Sequence, residues 1–197
     1  MDFKGFPKMA RLSRDIIVTE KIDGTNAQVY ITPEGELFAG SRTRWITPEK
    51  DNFGFARWVE ENKDELQQLG PGQHFGEWWG KGIQRGYGME ERRFSLFNVS
   101  RWVRHGDIPQ IVPTLDPRVT RTQEVLPPCC DLVPILYQGP FAMEEIEQRL
   151  SWLRTFGSFA APKFMNPEGV VVFHTAANVG FKKTIEKDEM PKGLCTT

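Results

Sequence analysis

The sequence predicts one α+β domain built on strongly twisted antiparallel sheets. Short β-branched or alternating apolar runs recur from residue 16 to residue 183. Two stretches carry apolar residues at helical spacing, and no internal repeat or low-complexity linker divides the chain.

The elements follow in order. Residues 1 to 15 are mixed and charged and read as a leading loop with a short helix. Ile16-Ile17-Val18 is a β-branched run, Asp23-Gly24 is a sharp turn, and Ala27-Gln28-Val29-Tyr30-Ile31 nearly alternates. After the turn Thr32–Glu36, Leu37–Gly40 is a third strand, so this part reads as a β-meander ending in Ser41-Arg42-Thr43-Arg44-Trp45. From Phe53 to Leu69 the spacing of Phe55, Trp58, Val59, Leu66 and Leu69 predicts a single amphipathic helix, stopped by Gly70-Pro71-Gly72. His74–Trp79 and Phe94–Val99 read as strands on either side of a glycine-rich loop, residues 80 to 88. Residues 104 to 134 are proline-rich, with brief ordered segments expected at 108 to 112 and 120 to 125. Phe141 to Phe156 predicts a second helix, and Gly169–Phe173 and Val179–Lys183 the last two strands before a charged tail.

With 197 residues the chain fits one domain with a substantial core. Its net charge of -1 excludes the global cationic field of a passive nucleic-acid coat. Phosphate binding must therefore come from local clusters such as Arg42 with Arg44, or Arg92-Arg93 with Arg101 and Arg104. With no N-terminal apolar run and no stretch near membrane-spanning length, the expectation is a soluble, cytoplasmic protein with no membrane partner. Cys129, Cys130 and Cys195 suggest neither a disulfide scaffold nor zinc spacing, and the adjacent pair reads as buried or loop filler. Six Trp and 14 Phe exceed what a small core requires, so some aromatics are expected to line a site.

The chemistry centres on Lys21, at the end of the first strand. A lysine there is ordinarily a solvated edge charge, but Glu20, Asp23 and Asn26 crowd the same short turn with polar groups that need partners. Arg42, Glu77, Glu168 and Lys182 lie in or beside later strands, and one sheet system around a groove would bring them together with Lys21 around a small anionic ligand. A lysine nucleophile must lose its proton near neutral pH, through partial burial, a neighbouring cation or a divalent metal. Lys182 and a metal held by Glu168 supply such a field, and Phe97 is an aromatic suited to stacking on a purine.

Lys21-Ile22-Asp23-Gly24 resembles the Lys-x-Asp-Gly signature of the covalent nucleotidyltransferases, the superfamily of DNA ligases, RNA ligases and mRNA capping enzymes. The longer string from Glu20 to Asn26 is most similar to the ATP-dependent RNA ligases of the type-2 RNA ligase family. Ser41-Arg42, Phe75-Gly76-Glu77, Phe97-Asn98, Glu168-Gly169-Val170-Val171 and Phe181-Lys182-Lys183 match further motifs in the family's order, so the resemblance spans residues 20 to 183.

The resemblance implies an ATP-grasp-like ligase core with a nucleotide groove between its sheets. It implies that Lys21 takes AMP from ATP as a lysyl phosphoramidate, with Mg²⁺ or Mn²⁺, passes it to an RNA 5′-phosphate, and joins that end to a 3′-hydroxyl. It assigns the catalytic roles to Lys21, Asn26, Arg42 and Lys182. Nucleotide contacts fall to Glu20 at the adenine edge, Lys21, Ile22, Asn26, Arg42, Glu77 on the ribose, Phe97 on the base, Glu168 and Lys182 on the α-phosphate. Glu168 is the implied metal ligand, and Asn26 with Arg42 holds the 5′-phosphate end.

Two departures stand out. Asn98 occupies a position that is acidic in the family, and Lys182 and Lys183 are adjacent where the family alternates, so period-2 geometry places only one in the groove. Lys182 is the expected one, with Phe181 and Lys183 on the opposite face and Thr184 inward. Only 20 residues precede Lys21, which favours ATP over NAD, and only 13 follow Thr184, so no oligonucleotide-binding fold or C-terminal domain is expected after a catalytic unit of residues 1–197. Such a core would act on RNA ends, including a nicked duplex, with help from a protein or domain in trans. A minimal DNA ligase core and a non-catalytic nucleotide- or RNA-binding module stand as alternatives. The glycines of the 80–88 loop, with Lys81 and Arg85, are read as permitting close approach to a triphosphate or RNA.

Overall fold

The apolar runs pair into two sheets rather than one meander. A computed structural model of the chain describes residues 2–6, 8–102 and 126–189. Its strands are β1 (Asp15–Lys21), β2 (Thr25–Ile31), β3 (Leu37–Ser41), β4 (Trp45–Ile46), β5 (Gly72–Gly80), β6 (Arg92–Leu96), β7 (Cys130–Leu132), β8 (Ile135–Pro140), β9 (Gly169–His174) and β10 (Val179–Thr184). Its helices are α1 (Phe55–Glu61), α2 (Lys63–Leu66), α3 (Val99–Trp102) and α4 (Met143–Phe156). One sheet has the order β10-β9-β1-β8 and the other β4-β3-β2-β5-β6-β7.

This topology corrects the predicted meander. β1 and β2 belong to different sheets, and Ile22-Asp23-Gly24 carries the chain across from one to the other. Gly24 permits the crossing, because a Cβ there would lie 2.5 Å from the Trp78 carbonyl oxygen and 2.7 Å from Trp79 Cβ. Lys21, the last residue of β1, is thereby set at the junction of the two sheets.

Each sheet has its own core. On β1, Ile16 and Val18 join Ile146, Leu150 and Leu153 of α4, while Ile17 faces the other cluster, so alternation along one strand serves both sides. Helix α4 forms as predicted from its stripe, with Glu144 and Glu145 in its first turn, Arg154 in its last and Gly157 closing it at φ 79°. Beneath the second sheet, Phe55 and Trp58 pack on Trp78 and Phe94 with ring centroids 5.0 to 5.7 Å apart.

Four further expectations are corrected. The helix foreseen over 53 to 69 is broken into α1, α2 and a 3₁₀ turn at Gln67–Leu69. Asn62 breaks it: its backbone leaves the helical region at φ -109° and ψ 20°, and its side-chain amide donates to the Trp58 carbonyl at 2.7 Å. The strand foreseen at Phe94–Val99 ends at Leu96, and Val99 and Trp102 turn back into the core as α3. The sheets are antiparallel except that β6 and β7 pair in parallel, a geometry that requires the long intervening connection. Residues 2–6 and 8–14 contain no helix. The segments at 108 to 112 and 120 to 125, Arg104 and Cys195 lie outside the described residues.

Cys130 in β7 is buried and its sulfur lies 3.9 Å from that of Cys129, both as free thiols. That contact, together with burial, pushes the Cys130 thiol far above its ordinary range. No helix among the described residues is long and apolar enough to cross a membrane.

Candidate active site

A cleft of about 1270 Å³ opens between the two sheets. One wall comes from β1, β9 and β10, and the other from β2, β5 and the segment running from Leu96 into α3. Cavities for small ligands commonly hold 300–1,000 Å³, so this one has room for more than a single nucleotide.

Lys21 lies in it with 18% of its side chain exposed, and Nζ donates to Glu168 Oε2 at 2.5 Å. The register explains the meeting, because Lys21 stands opposite Gly169, the residue after Glu168. Three more cations border the cleft: Arg42 after β3, Arg101 in α3 and Lys182 in β10. A chain with net charge -1 thus concentrates positive charge where an anion could enter.

The adjacent lysines of β10 diverge. Lys182 borders the cleft, whereas Lys183 pairs with Glu147 of α4 and with Asp188, at 3.3 and 3.6 Å. Phe181 also borders the cleft, and the Thr184 hydroxyl donates to the Glu186 carbonyl instead of turning inward.

Glu77 on β5 is buried, and its carboxylate accepts from the Gly24 N–H at 3.0 Å and the Asn26 side-chain amide at 3.3 Å. Burial pushes Glu77 up to about 7, against the opposing pull of the Gly24 N–H and the Lys21 charge. Asn26 and Ile22 both border the cleft, Asn26 exposed and Ile22 buried. Phe97 borders it too, 41% exposed, just beyond β6, where its N–H donates to the Phe75 carbonyl at 2.9 Å.

Glu20 is placed differently from its neighbour. Strand alternation turns its carboxylate away from Lys21 and toward the loop after α4, where it accepts from the Ser158 hydroxyl at 2.6 Å and from the N–H groups of Phe159 and Ala160 at 2.7 and 3.0 Å. Burial raises it to about 7 in spite of these donors. Both Glu20 and Glu77 stand above the ordinary 4.5, so the folded chain binds more protons than the unfolded one between about pH 4.5 and 7. Stability is therefore expected to fall as pH rises through that window, by about 3 kcal/mol per fully shifted group. Urea midpoints from pH 5 to 8 measure it. Glu20→Gln should flatten the fall, and an unchanged slope would remove Glu20 as a cause.

The 80–88 loop does not border the cleft. Arg85 Nε donates to Asp23 Oδ2 at 3.0 Å and its Nη1 to the Asn166 carbonyl and side chain at 3.0 and 2.9 Å. The Tyr87 hydroxyl accepts from the Asp23 N–H at 2.8 Å, and Ile83 and Tyr87 are buried. This loop clasps the crossing that carries Lys21, which corrects the reading of Arg85 as poised for a triphosphate or RNA. Lys81 makes a long exposed contact with Glu90 at 3.7 Å.

Sequence reasoning missed Tyr87 as the partner of the Asp23 backbone, and missed Phe75 and Phe173, partly exposed on the cleft, Phe75 on the same wall as Phe97 and Phe173 on the other. The available signal was an apolar residue at the outward position of a strand whose neighbours are buried. Among the described residues no group of three or more His, Cys, Asp or Glu could hold a metal.

Comparison with known proteins bears on this geometry. The family model described as RNA ligase matches residues 14–187. No curated protein matches the chain. An unliganded point variant of an RNA ligase from Naegleria gruberi is similar with a TM-score of 0.54 at 21% identity, over 87% of this chain and 50% of that one. A variant of Naegleria gruberi RNA ligase with ATP and Mn gives 0.52 at 19%, over 89% and 51%. Another, with AMP and Mn, gives 0.52 at 19%, over 88% and 50%. At these identities the likeness is one of fold, and the chain spans about half the length of the structures it matches.

Proposed function

The chain belongs to the RNA ligase family, and on that premise we propose that it is an ATP-dependent RNA ligase working through a lysyl-AMP intermediate. One observation carries the proposal: the amine of Lys21 is held by buried Glu168 in the same cleft that gathers Arg42, Arg101 and Lys182. Lys21 Nζ attacks the α-phosphorus of ATP, the N–P bond forms, and the bond to the α,β-bridging oxygen breaks as pyrophosphate leaves. Glu168 aims Nζ and is placed to receive its proton. Lys182 offsets charge on the α-phosphate. Phe97 stacks on the base, Glu77 meets the ribose, and Ile22 packs beneath the nucleotide. With its carboxylate taken by the Ser158 loop and its N–H given to the Pro134 carbonyl, Glu20 would meet the adenine edge through its main-chain carbonyl.

Asn26 and Arg42 hold the 5′-phosphate of the RNA while AMP passes to it, and a 3′-hydroxyl then displaces the AMP. In this reading residues 1–197 act as one adenylyltransferase unit, with a nicked duplex and a helper in trans as the natural extensions.

A divalent metal fits these residues. Glu168 offers a single buried carboxylate, so an ion there would complete its shell with phosphate oxygens and water, the habit of Mg²⁺ and Mn²⁺. When bound, it supplies positive charge that favours the neutral amine and the departing pyrophosphate. The matched structures with ATP or AMP and Mn support nucleotide and metal use.

Incubation with α-labelled ATP and Mg²⁺ or Mn²⁺ tests the proposal. The expected result is a covalently labelled protein, with no label from γ-labelled ATP, followed by sealing of RNA presented as a nicked duplex or as single strands. Retained ATP binding without an adduct would leave only a binding module, and sealing confined to nicked DNA would point to a DNA ligase core.

A further inference from the structure

The second sheet continues past the cleft as an exposed aromatic face. Asn26 stands opposite Glu77, and Arg42, following the Ala27–Ser41 pair, continues β3 beside Asn26. Side chains two residues apart along a strand share a face. The next row on that face is therefore Phe75, Gln28, Gly40 and Trp45, and the row beyond it holds Tyr30 and Phe38. Each row advances about 7 Å.

Tyr30, Phe38 and Trp45 form one cluster, with ring centroids 6.3, 6.0 and 6.1 Å apart. Phe38 is 44% exposed and Trp45 52%. Gly40 makes room for the Gln28 side chain, which lies across it on the way to the Ser41 carbonyl: a Cβ there would fall 2.6 Å from Gln28 Cγ. The turn between β3 and β4 brings exposed Arg42 and Arg44 to the edge of this face, and it is fixed by the Ser41 N–H and hydroxyl, which both donate to the Arg44 carbonyl, at 2.8 and 3.1 Å. Aromatic rings beside guanidinium groups suit a polymer that has a π-face and a phosphate in every unit. A purely apolar partner would leave the arginines unanswered.

We propose that Tyr30, Phe38 and Trp45 form a stacking platform for unpaired nucleotides of the 5′-phosphate-bearing RNA strand, next to the end held by Asn26 and Arg42. The proposal rests on the assignment of that end to Asn26 and Arg42. Bases stack on the exposed faces of Trp45 and Phe38, while Arg42 and Arg44 follow the backbone. Sequence preference is weak, because stacking accepts any base.

Fluorescence anisotropy with a fluorescein-labelled, 5′-phosphorylated single-stranded RNA at fixed salt tests it. Trp45→Ala and Phe38→Ala should each weaken binding about tenfold, and Trp45→Phe should recover most of the loss. If Trp45→Ala fails to fold, Phe38→Ala carries the test. Unchanged affinity in the alanine variants overturns the platform. So does a self-association seen by sedimentation that Trp45→Ala abolishes without altering RNA affinity, which would assign the face to a second copy. Self-labelling of the unaltered protein by α-labelled ATP is scored in parallel. Labelling with unchanged RNA affinities sinks the platform alone, whereas absent labelling with weakened affinities sinks the adenylylation reading and leaves the platform standing.

Discussion

Lys21→Ala is expected to abolish covalent labelling by α-labelled ATP, and Lys21→Arg to do the same. The two substitutions fail for different reasons. Alanine removes the nucleophile, whereas arginine keeps a positive charge opposite Glu168 but stays protonated and offers no lone pair. A phosphoramidate needs that lone pair, so a charge-only role for Lys21 predicts that arginine survives and a nucleophilic role predicts that it does not. The alanine variant should also lose stability, because Glu168 is buried and its carboxylate loses the ammonium 2.5 Å away. Lys21 retains 18% exposure, so the cost is expected to be on the order of 2 kcal/mol, below that of breaking a fully buried pair. Urea midpoints measure that cost, and nucleotide binding followed in the same variant separates loss of chemistry from loss of the pocket. Undiminished labelling of Lys21→Ala would move the nucleophile elsewhere, with Lys182 the first residue to examine.

Much of this site was legible as residues at strand ends. β3, β5, β9, β10 and α4 lie close to where alternation and helical spacing put them; Glu77 and Lys182 reach the cleft from β5 and β10, Arg42 from just after β3 and Phe97 from just beyond β6. Period-2 geometry also separates Lys182 from Lys183, whose partner Glu147 lies on α4. What the sequence did not disclose is which strands pair. Alternation reports the face of a residue and not its neighbour across the ladder, so β1 and β2 looked like a hairpin when Gly24 in fact carries the chain between sheets. The same alternation, applied to Glu20, would have turned its carboxylate away from Lys21; proximity in sequence obscured it. Asn62 ended α1 by capturing the Trp58 carbonyl, a local competition that a hydrophobic stripe does not reveal. Arg85 looked like a free cation because its acceptors, Asp23 and Asn166, lie far from it in sequence.

Gly169→Ala is expected to disable the protein at its centre. Gly169 is the point where three strands converge, opposite Lys21 on β1 and opposite Thr184 on β10. A Cβ there would fall 2.2 Å from the Lys183 carbonyl oxygen and 2.7 Å from Thr184 Cα, and both obstacles are backbone that no rotamer change can move. Its φ of 153° adds a conformation that a side chain disfavours. Relief requires β10 to shift away from β9, which draws Lys182 out of the cleft and lets the Glu168–Lys21 pair open. The expected loss is about 3 kcal/mol or more, accompanied by loss of self-labelling. Thermal unfolding followed by circular dichroism reads the first effect, and labelling under conditions where the variant remains folded reads the second. A melting temperature equal to that of the unaltered chain would show that β10 is not held against Gly169 as described. A folded variant that labels normally would break the link between this strand crossing and the aim of Lys21.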